Sequence, residues 1–344
     1  MRAAVTEGRE TMRVIDVPEP GAPGAGEVLI RPEAVGLCGS DFHYYLGDIG
    51  AVSDEERFPR IQGHEVSAVI EEIGPDCPSH LEAGMRIAIW PHTSCGECYP
   101  CRIGRSNACV NLNLIGIHRD GALQERLLLP AVQAFPVGEQ DAVGAAIVEP
   151  MSIAVRAVAR GRVAAGEKAV VFGAGPIGIA TAVAAIDRGA SVLLIDPIDA
   201  RLERGRVAGA EAVEPGSDPV MTAREWAGGD GPEIVFEATG VPSIAQTAVE
   251  LVAQAGRVVI VGLGTDGAPL TTGSLAFKEI DMLGTSTCSA DDFAEAIALV
   301  ARRRDALAGF VTHEFPLDET PEAIVYAMRH PADVMKAVIW LDGK

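Results

Sequence analysis

Basic residues are scarce in this chain. Its 344 positions carry 28 Lys and Arg against 48 Asp and Glu, a formal charge of −20 at pH 7. A balance that acidic repels a polyphosphate backbone and argues against nucleic acid as a partner. Long apolar runs are also missing. The opening "MRAAVTEGRETMRVIDVPEP" holds no stretch that reads as a signal peptide. Segments such as "AVVFGAGPIGIATAVAAI" are interrupted by Gly and Pro before they could span a bilayer. No internal repeat or low-complexity linker is visible. An even cysteine count is absent as well: there are seven, so complete disulfide pairing is impossible, and a chain with 48% hydrophobic residues needs no staples. The expectation is a soluble, reduced, cytoplasmic protein without membrane partners. Its length exceeds what one core comfortably fills, which predicts two domains.

The texture of the chain divides it. Up to about residue 145, short strand-like runs ("AAVTEG", "RVIDVPEP", "EVLIRPEAVGLCG", "HEVSAVIEEIG", "MRIAIWP") are punctuated by Pro and Gly, the pattern of a β-rich barrel. From Pro150 onward, "KAVVFGAG", "SVLLIDP", "EIVFEATG", "GRVVIVGLG" and "IDMLGTST" are buried-strand runs separated by amphipathic segments. Such alternation makes a doubly wound parallel sheet. The tail, with "DDFAEAIALVARRR", "PEAIVYAMRH" and "VMKAVIWLDG", leaves the alternation and is expected to rejoin the first domain. The predicted division is 1–148 with 291–344 in one domain and 149–290 in the other.

The second region opens on a strand that runs into Gly173-Ala-Gly175-Pro176-Ile177-Gly178 and then a helix-like segment. A glycine-rich turn in that context lets the backbone approach a pyrophosphate, which the helix N-terminus holds. The next strand ends at Asp196, where a carboxylate can accept from both ribose hydroxyls and would repel a 2′-phosphate. That favours NAD over NADP, tempered by Arg201 nearby.

"CGECYPCRIGRSNAC" places Cys95, Cys98, Cys101 and Cys109 within fifteen positions. Four soft ligands at this spacing suit one tetrahedral zinc and leave no open coordination position, so the loop reads as structural. Only Arg102 and Arg105 lie among these cysteines, too few for a nucleic-acid-binding zinc module. Cys38 in "GLCGSDFHYY" and His64 in "GHE" are, taken singly, better read as a buried thiol and a core histidine. Together with Glu65 and Glu149 they form a mixed set of the kind a catalytic zinc uses, three protein ligands and an exchangeable water.

These motifs, "GLCGSDFH", "GHE", the four-cysteine lobe, "EP" and "GAGPIG" followed by Asp196, occur in the order and spacing that resemble the zinc-dependent medium-chain dehydrogenases, over nearly the whole chain. Within them the chain is similar to the polyol and sugar-acid branch: sorbitol, L-threonine, L-idonate and L-gulonate 5-dehydrogenases. The resemblance implies a GroES-like β-barrel catalytic domain with an inserted Rossmann domain, two zinc ions per chain, and a catalytic zinc held by Cys38, His64 and either Glu65 or Glu149. It adds Thr239, Gly240, Gly262 and Gly264 as cofactor contacts, Ser40 and His43 as a proton relay, and Asp41 as the partner that orients His64. By analogy with relatives that form dimers and tetramers, the chain is expected to be a homodimer or homotetramer.

The substrate signal is thinner. Tyr44 and Tyr45 resemble a sorbitol-type pocket segment, but the Arg-Tyr pair of sorbitol enzymes is replaced here by "GTSTCSADDF". "LIGIHRDGALQE" is similar to a segment of the gulonate and galactonate oxidoreductases. Arg119 could pair with a substrate carboxylate and His118 with a hydroxyl. The expected activity is NAD-linked oxidation of a secondary hydroxyl on a sugar acid or polyol. L-Threonine or a simple polyol is the near alternative; a zinc-less quinone-reductase-like or cofactor-sensing protein is the distant one.

Overall fold

The computed structural model describes residues 1–50, 57–213, 218–264 and 266–341. Two compact units emerge, Met1–Glu149 with Val311–Lys344, and Pro150–Phe310.

The first unit is mostly antiparallel. Its largest sheet runs in the order Ala134–Pro136, Arg86–Ile89, Glu65–Ile73, Glu27–Gly36, Ala337–Trp340 and His313–Pro316, with Leu127–Pro130 also paired to Glu27–Gly36. Arg2–Gly8 pairs with Thr11–Asp16 and with Arg60–Ile61 in a smaller sheet. The core is built from β-branched and aliphatic side chains that alternate along these strands, among them Val28, Ile30, Ile70, Ile87, Leu129 and Ile339. Burying each such side chain is worth about 1.5–3 kcal/mol. The C-terminal strand Ala337–Trp340 is paired on both sides, antiparallel to Glu27–Gly36 and parallel to His313–Pro316. The chain from Val311 onward belongs to the first unit.

The second unit is a six-stranded all-parallel sheet ordered Glu211–Val213, Ser191–Ile195, Lys168–Phe172, Ile234–Glu237, Arg257–Ile260 and Asp281–Gly284. In chain order that is 3-2-1-4-5-6, the arrangement whose reversal lies at the carboxyl end of the first strand. Helix Pro176–Asp187 buries every residue from Gly178 to Ala185. Its small side chains let it lie close on the sheet.

The boundary expected at 291 is corrected here. Helix Ala290–Arg302 belongs to the second unit, and the return to the first comes at Val311. This helix buries Phe293, Ala296, Leu299 and Val300 on one face. It is pinned to the second unit by Asp187, which accepts from Arg302 and Arg303 at 2.9 Å each, and by Arg156, which lies 3.4 Å from Asp292. An amphipathic pattern shows that a helix has a face to bury, but not against which neighbour. No helix among the described residues is long and apolar enough to cross a membrane.

Candidate active site

Strand register assembles the first cluster. Gly36 lies opposite Glu65 on one side and opposite Val338 on the other. Cys38 therefore emerges two residues beyond the point where Glu65 begins one flanking strand, with His64 immediately before it and Lys336 immediately before the other flanking strand. Cys38 is the N-cap of helix Gly39–Leu46; Asp41 accepts from its backbone N–H at 2.9 Å, closing a capping box. The Cys38 thiol, one His64 ring nitrogen and one Glu65 carboxylate oxygen all lie within 4.8 Å of one another.

Around them the hydrogen bonding is dense. His64 Nδ1 stands 3.7 Å from Asp41 Oδ1, and Ser40 Oγ lies 3.3 Å from His64 Nε2. Asp41 is held in turn by Gln62, whose amide donates to the Asp41 carbonyl at 2.9 Å while its oxygen accepts from Thr6 at 2.6 Å. Glu65 Oε1 accepts from Lys336 Nζ at 2.6 Å. Its Oε2 and His64 Nδ1 are buried without a hydrogen-bond partner.

The electrostatics are unbalanced. Burial pushes the Glu149 carboxyl up to about 7, with Glu65 and Asp41 adding to the rise and His64 and Lys336 opposing it. Burial likewise raises Asp41. For His64, burial pushes down, but Asp41, the contact with Cys38 and the charge of Glu149 outweigh it and hold the ring well above its ordinary value. Three carboxyl groups and a thiol converge on one imidazole and one ammonium. A divalent cation would balance this set, and the orphaned carboxylate oxygen and the soft and borderline donors suit zinc. Glu149, near enough to be felt by His64 and Glu65, is outside the tight donor trio.

The other site residues fall as follows. His43 is exposed, its Nδ1 2.9 Å from Asp48. Tyr44 is fully buried among the described residues: its hydroxyl donates to the Arg57 carbonyl and its ring packs edge-on to Phe58. On helix Gly39–Leu46 it faces the core with Asp41 and Tyr45, which corrects its expected substrate role. His118 Nδ1 accepts from the Leu114 backbone at 3.2 Å. Arg119 is half-buried, donates to Gln133 Oε1 at 2.5 Å and keeps Nε buried without a partner.

In the same unit, the four cysteines form a knot of their own. Sγ–Sγ separations are 3.4 Å for Cys98–Cys101 and Cys95–Cys109, and 3.7 Å for Cys98–Cys109. These are far from a bonded disulfide and close to the roughly 3.8 Å edge of a tetrahedron around zinc with bonds of about 2.3 Å. Backbone N–H groups of Cys95 and Asn111 each reach Cys109 Sγ at 3.3 Å. Hydrogen bonds from the Cys101 and Val110 backbone lower the Cys98 thiol to about 6, while burial and its thiol neighbours push Cys101 up to about 11. The lobe is chemically prepared for one metal ion.

In the second unit, Gly175 caps helix Pro176–Asp187, with Pro176 at its first turn. A Cβ on Gly178 would sit 1.7 Å from the Gly173 carbonyl oxygen, so only glycine permits this turn to close on the helix. Asp196, 3% exposed, accepts from the Ala174 N–H at 2.7 Å and the Ile198 N–H at 2.9 Å, and Arg201 lies 3.7 Å away. The carboxylate thus ties the glycine turn to the second strand. Glu237, at the end of its strand, accepts from the Thr239 and Gly240 N–H groups at 2.7 and 3.0 Å. Its carbonyl accepts from Gly262 at 2.9 Å. Thr239, Gly240, Gly262 and Gly264 are brought together there, with the Gly240 carbonyl oxygen 2.4 Å from where a Gly264 Cβ would be.

The model of the alcohol dehydrogenase GroES-like domain matches residues 24–139, and that of the zinc-binding dehydrogenases residues 176–302. The chain is 34% identical over 321 residues to the 2-dehydro-3-deoxy-L-galactonate 5-dehydrogenase of Pseudoalteromonas atlantica, with 92% of each chain covered. It belongs to the zinc-type medium-chain polyol and alcohol dehydrogenases. Human sorbitol dehydrogenase is 32% identical over 334 residues, covering 93% of this chain and 90% of that one. The RspB alcohol dehydrogenase of Escherichia coli CFT073, solved with NADH, matches with a TM-score of 0.87 and 28% identity over 99% of both chains.

In this dehydrogenase the residue that sequence reading missed is Lys336. One signal was available: a lysine directly before the wholly apolar run Ala337–Trp340 is out of place on a buried strand unless it has a partner.

Proposed function

We propose that this dehydrogenase oxidises a secondary hydroxyl of a sugar acid or polyol to the ketone with NAD+. The observation that carries the reading is the convergence of Cys38, His64 and Glu65 in one unit of a chain whose other unit bears the Gly173–Gly178 turn and Asp196. Cys38, His64 and Glu65 would hold the catalytic zinc, with Glu149 bonding through water, and Cys95, Cys98, Cys101 and Cys109 a second, structural zinc. When bound, the catalytic ion supplies a Lewis acid that makes a substrate hydroxyl easier to deprotonate, and the nicotinamide supplies the hydride acceptor.

The chain's own groups do the rest. Asp41 fixes the ring orientation of His64. Ser40, beside His64, takes up the hydroxyl proton as it gives up its own, and exposed His43, paired with Asp48, is the group that hands a proton on to solvent. Asp196 presents a buried carboxylate where a 2′-phosphate would meet like charge, which favours NAD. The sugar-acid preference rests on Arg119, whose buried, unpartnered Nε suits a carboxylate, and on the galactonate relative. A dimer or tetramer is proposed by analogy alone.

The test is NADH formation across aldonates, hexitols, pentitols and L-threonine, with NADP+ in parallel. Aldonates should be preferred, and Arg119→Ala should cut their kcat/KM by about tenfold to a hundredfold while sparing neutral polyols. Equal loss on both substrate classes would remove the carboxylate clamp; turnover of no alcohol in the panel would remove the reading.

A further inference from the structure

Burying an ammonium group is unfavourable unless it is both paired and hydrogen-bonded. Lys336 meets that condition in an unusual place. It is 3% exposed, and Nζ donates to Glu65 Oε1 at 2.6 Å and to the Leu37 carbonyl at 2.9 Å. Register puts it there, because the Leu37 N–H donates to the Ala337 carbonyl and Val338 lies across from Gly36, the residue that faces Glu65 on its other side. The bond to Leu37 keeps the ammonium from swinging away. Glu65 is also one of the three donors gathered with Cys38 and His64. One carboxylate is therefore addressed by two cations, one of them built into the chain.

We propose that Lys336 is a positioning residue of the metal centre that pins Glu65 through a permanent ion pair and, by its charge, makes Glu65 the weakly held and displaceable member of the ligand set. This rests on the reading that Cys38, His64 and Glu65 hold zinc. The physical argument has two parts. A carboxylate that shares its charge with an ammonium donates less to a second cation. A fixed positive charge a few ångströms from a divalent ion, in a dry setting, repels it. Lys336 thus keeps the pocket ordered when metal-free and limits how tightly it closes on metal. The ligand that yields to an incoming hydroxyl is then Glu65, while Cys38 and His64 stay.

The test is zinc release from the intact protein to a chelator, followed with a metal-sensitive dye, in wild type, Lys336→Met and Lys336→Arg. Cys38→Ser identifies the phase that belongs to the four-cysteine zinc. Lys336→Met should release the Cys38-site zinc roughly tenfold more slowly than wild type, and Lys336→Arg, which keeps the charge, should stay within about threefold of it. The four-cysteine phase should be identical in all three. Metal-free Lys336→Met should also melt lower than metal-free wild type and recover when zinc is added, because Glu65 then has a partner again. Release from Lys336→Met as fast as wild type, or faster, overturns the proposal; if that variant does not fold, Lys336→Gln decides by the same criterion. A wild-type chain that shows only the four-cysteine phase defeats the assignment of Cys38, His64 and Glu65 as zinc ligands, and the proposal with it.

Discussion

Replacing Gly36 with alanine should empty one metal site and leave the other intact. Gly36 lies at the end of its strand with φ outside the left-handed region, so alanine meets no backbone strain. The added Cβ would sit 2.2 Å from Glu65 Oε2 and 3.1 Å from Glu65 Cβ. Ordinary van der Waals separation requires the carboxylate to retreat by about 1 Å. Being the end of a flexible side chain, it can do so without unfolding the sheet. The retreat stretches its 2.6 Å bond to Lys336 and takes it out of the donor trio with Cys38 and His64. A misplacement of that size is worth about a hundredfold in turnover, and disturbed ligand support about tenfold to a hundredfold in metal affinity. Weakening the buried pair should lower stability by about 1–3 kcal/mol. The assay is zinc per chain after dialysis against a weak chelator, with NADH formation and thermal melting on the same sample. The expected result is one zinc retained, on the four cysteines, with turnover down about a hundredfold and the fold preserved. Two zincs and wild-type turnover would refute the placement of Glu65 at the metal.

Gly178→Ala drives a Cβ to 1.7 Å from the Gly173 carbonyl oxygen and should weaken NADH binding at least roughly tenfold by fluorescence titration, without changing zinc content; unchanged affinity would count against the turn as the pyrophosphate cradle. Asp196→Ala removes the buried carboxylate beside Arg201 and should shift the NAD+ to NADP+ preference by roughly tenfold or more toward NADP+; an unshifted ratio would refute its role. At Asp187, burial alone would raise the carboxyl, but Arg302 and Arg303 outweigh it and hold it below its ordinary value. A depressed carboxyl contributes stability that is present above its unfolded pKa of about 3.9 and lost as pH falls through the folded value. Asp187→Asn should therefore cost about 1–2 kcal/mol at pH 7, in denaturant unfolding, and progressively less in acid; a gap that does not narrow with acid would contradict the pairing that anchors helix Ala290–Arg302.

What was legible in the sequence was local. Cys95, Cys98, Cys101 and Cys109 sit on one loop, so their spacing alone brings four thiols to one point. The turn from Gly173 to Gly178 with Asp196 at the next strand end is likewise a short-range pattern, and the alternation of buried strands and amphipathic segments gave the parallel sheet. The candidate metal trio needed the family resemblance, because nothing in the spacing of Cys38, His64 and Glu65 fixes their register. Lys336 lies 271 positions from Glu65. Only the pairing of three strands around Gly36 makes them neighbours. Tyr44 shows the opposite failure. A tyrosine pair on a short helix could face solvent or core, and the helix phase that buries Tyr44 is set by tertiary packing. The edge of the second unit, at Val311 and not 291, was hidden for a similar reason: the anchor of helix Ala290–Arg302 is a carboxylate more than a hundred positions away.

The central claim is a zinc-bearing Cys38, His64 and Glu65 site that turns over an alcohol with a nicotinamide. Its most direct test is zinc stoichiometry and NADH formation, from an aldonate or polyol turned over by wild type, compared between wild type and Cys38→Ser. Two zincs per chain in wild type, one in the variant, and a loss of turnover of at least about a thousandfold are predicted. One zinc in wild type, or a variant that keeps both its second zinc and its turnover, would contradict the account.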